Sequence, residues 1–340
     1  MKKNPNYRRA QPEHSQQIRS AFQIGFFALN VWICIEFYRW VRFFEAGAAG
    51  SAPARPPGVE GWLPIASLMN LKVFLTTGVV PGFHPAGLFL LIAFLAMSWL
   101  LRKSFCSWLC PIGTISEYLW MWGRKWFRRN WRIPRWGDIV LRSLKYILMG
   151  LFLYAVASMP VDGIRTFLGG PYGVVADVKM LNFFRYMGLA GAVILGALIV
   201  ASVFIQNFWC RYLCPYGAML GLFSMLSPLR IKREVGLCID CAKCAKACPS
   251  ALAVDQLITI NSAECTGCMR CVTSCPAEGA LHLSIVGSKR RIPAWTVAAT
   301  VAAIFLGVVL YARLTGHWST DIPQSIYMNL VPRANEFSHP

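Results

Sequence analysis

Twelve of the thirteen cysteines fall into two spacings that can do chemistry. Eight lie in a pair of runs, Cys238-x2-Cys241-x2-Cys244-x3-Cys248-Pro249 and Cys265-x2-Cys268-x2-Cys271-x3-Cys275-Pro276. Four more form two Cys-x3-Cys-Pro pairs, Cys106/Cys110 and Cys210/Cys214. Thiolates are soft ligands that suit iron–sulfur clusters, zinc or copper(I). They must stay reduced to serve, which sets this chain apart from short, secreted disulfide scaffolds.

The doubled run of eight has the spacing of bacterial two-cluster ferredoxins, in which the fourth cysteine of each run serves the other cluster. Three cysteines on a tight loop reach three corners of a four-iron cube. The proline ends the turn and sends the fourth away. Cys238, Cys241, Cys244 and Cys275 are therefore expected to hold one [4Fe-4S] cluster, and Cys265, Cys268, Cys271 and Cys248 the other. Zinc sites use isolated four-ligand sets instead. Leu257–Ile260 and Leu281–Ile285 read as short strands in equivalent positions of the two halves.

The Cys-x3-Cys-Pro pairs place two thiols at i, i+4, on one face of a helix. The proline that follows predicts a helix end or kink. If Cys106, Cys110, Cys210 and Cys214 converge at the cytoplasmic membrane edge, they could ligate a third [4Fe-4S] cluster, bind copper(I) or cycle as disulfides. The competing reading is packing, because a free cysteine behaves as a small hydrophobe. Packing alone gives no reason to repeat both thiols at one spacing.

Glu36 is the one acid inside a predicted span, and intramembrane acids are functional candidates. Pairing with Arg39, three residues on, is the alternative. His84 and Pro85 open the second span and read equally as an interface cap. None of the five histidines lies mid-span, and neither Cys-x-x-Cys-His nor Gly-x-Gly-x-x-Gly occurs. No haem and no dinucleotide site is expected.

Membrane helices must position these residues. The 340-residue chain is 56% hydrophobic and 14% charged, with a mean hydropathy of +0.47; soluble domains hold roughly 45–50% apolar and ~25% charged residues. The net charge of +19 reads as basic loops beside membrane spans, so no nucleic-acid partner is expected. Runs that meet the ~20-residue requirement of a bilayer are Ala21–Tyr38, Gly87–Leu101 with an extension through Trp108, Ile139–Ser158, Leu189–Phe208 and Pro293–Ala312. The first run is longer than a signal-peptide core and carries Glu36, Arg39 and Arg42, so it reads as an uncleaved span.

Segments 1–21, 102–145 and 208–291 hold 25 of the 34 Lys and Arg residues. The positive-inside rule makes that side cytoplasmic, which also keeps the cysteine-rich insert reduced. The motif Phe105–Gly113 recurs at Trp209–Gly217, 104 residues on, each time after a span running outside to inside. Two copies of one topology imply a pseudo-two-fold axis along the membrane normal. The expected fold is a membrane all-α bundle of about five transmembrane helices with a two-fold internal repeat, carrying an inserted α+β bacterial 2[4Fe-4S] ferredoxin-like domain. Its parts are a basic cytoplasmic N-terminus (1–20), a four-span membrane domain (21–227), the ferredoxin-like domain (228–291), a fifth helix (292–312) and a periplasmic tail (313–340).

Two Cys-x3-Cys-Pro repeats at span ends, followed by Ser227-Pro228-Leu229-Arg230 and the two-cluster insert, resemble the NapH-type membrane ferredoxins over about residues 15–310. These are quinol dehydrogenase components, related to the membrane half of NosR and to the CcoG assembly factors. The resemblance implies a multi-pass protein of the bacterial cytoplasmic membrane, with cytoplasmic clusters, that exchanges electrons with the quinone pool. It also implies a periplasmic or membrane redox partner such as a multihaem cytochrome or oxidoreductase. No flavin-binding domain of the NosR kind and no immunoglobulin-like domain of the CcoG kind is expected. Quinol oxidation is the leading functional expectation, with Glu36 the candidate proton acceptor. The alternatives are a metal- or thiol-reducing maturation factor and an iron–sulfur redox sensor.

Overall fold

The computed structural model describes residues 8–10, 14–48, 50–51, 53–128, 130–131, 133–287, 290–293 and 295–339. Sequence readings that fall on residues 1–7, 11–13 and Pro340 lie outside them.

Three helices are long and apolar enough to cross a membrane by length and composition: Ser15–Glu45, Arg135–Ser158 and Trp295–Leu314. Only 11%, 11% and 22% of their most apolar windows are buried within the protein. Trp32, Ile35, Ile147, Leu151, Leu306 and Leu310 all face outward. Soluble monomers rarely expose apolar patches beyond a few hundred Å², whereas lipid accommodates them. Ala176–Arg185 and Leu189–Phe204 pass the same test together but meet at an 83° bend. Pro85–Leu101 has 17 apolar residues, about 25 Å at 1.5 Å per residue and short of a roughly 30 Å hydrocarbon core.

The second predicted span does not continue through Trp108. The helix stops at Leu101 because Arg102 turns left-handed, with φ of 64°. Its buried guanidinium donates to the carbonyls of Ser224 (2.9 Å) and Ser262 (2.6 Å). A separate short helix, Ser104–Trp108, follows. The stretches that precede the second and fourth predicted spans are also largely helical, with helices at Pro64–Thr77, Val161–Gly169 and Ala176–Arg185.

The chain divides into two compact units. One comprises residues 1–27, 94–149 and 196–304 and contains twelve of the thirteen cysteines. Its antiparallel sheet has the order β2-β1-β3-β4, with β1 Leu229–Arg233, β2 Thr259–Ile260, β3 Leu281–Ile285 and β4 Arg291–Ile292. Ile231 sits opposite Leu283 on one side and Ile260 on the other, and all three are buried. Strand β3 matches its predicted bounds. Strand β2 is shorter than Leu257–Ile260, and β1 was not predicted. Its Leu-Arg-Ile-Lys-Arg sequence hides the alternation, because Arg230 is buried and spends its donors on the carbonyls of Met225 and Leu229. Residues 8–10 add a bridge beside the second cysteine run: Ala10 N–H donates to Pro276 O and Glu278 N–H to Arg8 O, both at 2.9 Å.

The other unit comprises residues 28–93, 150–195 and 305–340. Phe37, Trp40, Phe44, Val174, Val178 and Tyr327 form its apolar core. Beside that core lies a buried ionic cluster. Arg55 bridges Glu60 (2.8 Å) and Asp177 (2.6 Å). The second Glu60 oxygen accepts from Gly87 N–H (3.1 Å) at the start of helix Pro85–Leu101, where the helix dipole favours an anion. His84 donates from Nε2 to Gly173 O (2.9 Å) and sets Nδ1 3.6 Å from Glu60. His84 is itself left-handed, with φ of 51°, and Asn70 straps the carbonyls of Phe83 and His84 at 2.7 and 2.9 Å.

Breaking a buried ion pair from one side costs about 3–5 kcal/mol. Asp177→Asn is therefore expected to lower the melting temperature of the detergent-solubilised protein far more than an exposed control such as Asp162→Asn. Burial alone would lower the His84 pKa, but the carboxylates of Glu60 and Asp177 outweigh it and hold the pKa above its ordinary 6.5. The protonated ring thus contributes stability that is fully present below 6.5 and lost as pH rises through the raised value. Melting curves across that range should show this alkaline loss in the wild type and a flattened profile in His84→Gln.

Candidate metal centres

The two cysteine runs fold alike. Asp240 and Gly267 have φ of 51° and 61°, and Ala242 and Met269 have φ of 54° and 60°; each pair stands 27 residues apart. These left-handed residues turn each loop tightly before a short helix, Lys243–Ala247 or Arg270–Thr273, which carries the third cysteine. Gly267 needs its missing side chain. A Cβ there would approach Leu101 O to 2.8 Å.

The fourth cysteine of each run crosses to the other. Cys238, Cys241, Cys244 and Cys275 line one cavity, and Cys275 is within electrostatic reach of Cys238 and Cys241. Cys248 is within reach of Cys265 and Cys268, and Cys271 of Cys248, Cys265 and Cys268. Among the described residues, no three His, Cys, Asp or Glu side chains are set to hold a single metal ion.

The four membrane-edge cysteines also come together. Cys210 lies within electrostatic reach of Cys106, Cys110 and Cys214. The local geometry corrects the expectation of thiol pairs on one helix face. Cys106 sits on Ser104–Trp108, whereas Cys110 caps the next helix, Pro111–Phe127. Cys210 lies in the turn Trp209–Leu213, and Cys214 caps Pro215–Met225. Each proline therefore opens a helix, at the position where its missing N–H costs nothing. Cys110 Sγ accepts from Gly113 N–H (3.4 Å), and Cys214 Sγ from Gly217 N–H (3.3 Å). Burial pushes the Cys110 thiol up to about 11, against the pull of the Gly113 N–H.

Sequence reasoning missed the charged side chains around these sulfurs. Buried Lys145 places Nζ 2.7 Å from both oxygens of Glu264, and Tyr146 OH donates to the same carboxylate at 3.0 Å. Lys103 Nζ stands 3.8 Å from Glu264. Burial would raise the Glu264 pKa, but Lys103 and Lys145 hold it down at about 2. A second carboxylate, Glu117, takes Arg19 (2.6 and 2.8 Å), Gln23 (2.9 Å) and Arg270 (2.8 Å). Lys145 stood out within an apolar predicted span, and that was the available signal. Glu36, by contrast, pairs with Arg39 at 2.9 Å on the helix surface.

Polar contacts tie the second cysteine loop to the segment that bears Cys106 and to the first helix. Ser107 Oγ donates to Thr266 O (2.7 Å), Trp108 Nε1 to Gly267 O (3.3 Å) and Gln16 Nε2 to Cys268 O (2.9 Å).

A 4Fe-4S binding domain family matches residues 83–134 and again 187–234, and a 4Fe-4S dicluster domain matches 230–276 and 257–296. Each stretch matched by the first contains one Cys-x3-Cys-Pro pair and none of the other eight ligand candidates. The chain is 47% identical over 326 residues to the "Putative electron transport protein YccM" of Escherichia coli, covering 94% of this chain and 91% of that protein. The chain belongs to the NapH-type family of ferredoxin-type membrane proteins. Ferredoxin-type protein NapH of Haemophilus influenzae is 26% identical over 151 residues, 44% of this chain and 48% of NapH. Regulatory protein NosR of Pseudomonas aeruginosa is 31% identical over 174 residues, 47% of this chain and 22% of NosR. No solved structure matches.

The two thiol turns differ in the space they leave. A Cβ on Gly113 would meet Cys106 O at 2.2 Å, whereas one on Gly217 would meet Cys214 Sγ and Cys210 O only at ordinary contact, 3.5 and 3.8 Å. Gly113→Ala is expected to displace the Cys106 turn and lower both melting temperature and yield of folded protein. Gly217→Ala should remain close to wild type. Size-exclusion profiles and melting curves of the two variants, measured side by side, check this.

Proposed function

We propose that this chain is a membrane-bound iron–sulfur electron-transfer protein that oxidises quinol and passes its electrons to a periplasmic or membrane redox protein. The observation that carries the reading is the exchange of the fourth cysteine between runs. It supports Cys238, Cys241, Cys244 and Cys275 as ligands of one [4Fe-4S] cluster and Cys265, Cys268, Cys271 and Cys248 as ligands of the other. An enclosed, all-sulfur donor set fits a four-iron cube. Bound there, two cubes supply neighbouring one-electron carriers.

The protein's own residues do the rest. Tight left-handed turns present the thiols, buried Arg19 and Glu117 with half-buried Arg270 fix the second loop, and outward-facing apolar helices put the site where a lipid-soluble reductant can reach it. Cys106, Cys110, Cys210 and Cys214 form a third redox or metal site. The double match of one family 104 residues apart supports reading them as equivalent positions of a two-fold repeat. Counting the bent pair and the short Pro85–Leu101 helix as spans gives five crossings. The Lys and Arg distribution then supports a cytoplasmic N-terminus and cluster domain in the inner membrane, with a periplasmic tail. The pairing with Arg39 favours a structural role for Glu36 over acceptance of a quinol proton.

Anaerobically purified protein should contain at least eight irons per chain, since each cube holds four. The exchange makes a sharper test. By EPR, Cys248→Ser should perturb the same cluster as Cys265→Ser, and Cys275→Ser the same cluster as Cys238→Ser. Stopped-flow mixing of oxidised protein in nanodiscs with a quinol should bleach the cluster absorbance. If no bleaching occurs even with an electron acceptor present, quinol oxidation fails as the function and the maturation-factor reading takes its place.

A further inference from the structure

Four buried sulfurs face an excess of positive charge. Lys103 lies within electrostatic reach of Cys106, Cys210 and Cys214, and Lys145 of Cys106 and Cys214. Both ammonium groups are almost fully shielded from solvent, at 5% and 0% exposure. Among the described residues, Glu264 is the carboxylate that reaches both. With both ammoniums protonated, one carboxylate leaves a surplus charge of +1 in the protein interior. The backbone adds to this potential. Cys110 and Cys214 occupy helix N-termini and accept N–H groups.

A neutral state of the sulfurs, whether four thiols or two disulfides, leaves the surplus charge uncompensated. Isolated buried charge is strongly unfavourable unless an opposite charge meets it. Four thiolates on a soft metal meet it, because their summed charge exceeds that of the metal or cluster they hold. The pattern of buried cations therefore selects between the two kinds of site that the cysteine spacing leaves open.

We propose that Lys103 and Lys145 are positioning counter-charges for an anionic, thiolate-ligated metal centre held by Cys106, Cys110, Cys210 and Cys214, in place of a disulfide couple. The inference rests on the reading that these four cysteines form one site, and it adds what kind of site that is and what sets its potential. A nearby positive charge stabilises the more negative, reduced state. The lysines therefore raise the reduction potential of the centre. Glu264, which organises both ammoniums, immediately precedes Cys265, so the same ionic group spans the membrane-edge sulfurs and the second ferredoxin loop.

The test compares anaerobically purified, full-length variants by iron and copper analysis and by redox titration followed by EPR and absorbance. Cys106→Ser should lose iron or copper relative to wild type, and the metal lost identifies the centre. The signal missing from that variant is the one to follow. In Lys103→Met its reduction equilibrium should shift at least tenfold toward the oxidised form, about 59 mV for a one-electron couple. Lys103→Arg should restore it, and the signals removed by Cys238→Ser should not move. Lys145→Gln should shift the same signal in the same direction, and it carries the test if Lys103→Met does not accumulate. Metal present with an unshifted potential in the lysine variants overturns the counter-charge role while leaving the four-cysteine metal site standing. No metal lost in Cys106→Ser, with disulfides found among the four residues by alkylation and mass analysis, overturns both.

Discussion

Two buried carboxylates determine where the cysteine-bearing segments can sit. A carboxylate away from water is tolerated only when cations and hydrogen bonds replace its hydration. Glu264 meets this requirement with Lys145, Tyr146 and Lys103, and Glu117 with Arg19, Gln23 and Arg270. Apart from Lys145 and Tyr146, on helix Arg135–Ser158, these residues belong to elements that carry or adjoin cysteines. Glu264 precedes Cys265, Arg270 precedes Cys271, and Glu117 lies on the helix capped by Cys110. Arg19 lies on the first helix, which also sends Gln16 to Cys268 O. An apolar contact tolerates sliding; a bidentate guanidinium on a carboxylate does not. The ionic groups thus give the site its register, while the apolar helices give it a surface for lipid.

This division explains what could be read from the sequence. The eight-cysteine pattern forecasts two tight, equivalent loops, and the left-handed turns at Asp240/Gly267 and Ala242/Met269 have that form. Hydropathy located the three helices long and apolar enough to cross a membrane, the Leu189–Phe204 arm of the bent pair and the shorter Pro85–Leu101 helix. It misjudged their ends where side-chain bonds to carbonyls override propensity, as when Arg102 ends its helix. The Cys-x3-Cys-Pro pairs were legible as a site but not as a shape. Proline was expected to close a helix, yet it opened one, since the first-turn position tolerates it as well as a break does. The partners of Glu117 and Glu264 lie 94 to 161 residues away in the chain. No local pattern encodes a pairing at that distance. Strand β1 stayed hidden for a local reason: a buried arginine, held by the carbonyls of Met225 and Leu229, stands where alternation called for an apolar residue.

The internal repeat accounts for the sulfurs and fails for the charges, and the reason lies in where the ferredoxin-like insert enters. Cys106 and Cys110 recur as Cys210 and Cys214, with Gly113 recurring as Gly217. But Lys103 is matched by Asn207, Glu117 by Gly221 and His84 by Gly188. The insert follows the second copy in the chain and packs its second loop against the first, through Ser107, Trp108 and Arg102. A domain that leaves one copy and lands on the other cannot respect their symmetry. The first copy must therefore supply groups to receive it. Equal sulfur ligands in unequal electrostatic surroundings follow directly. The four thiols stand near a cation of the first copy, Lys103, for which the second copy has the neutral residue Asn207.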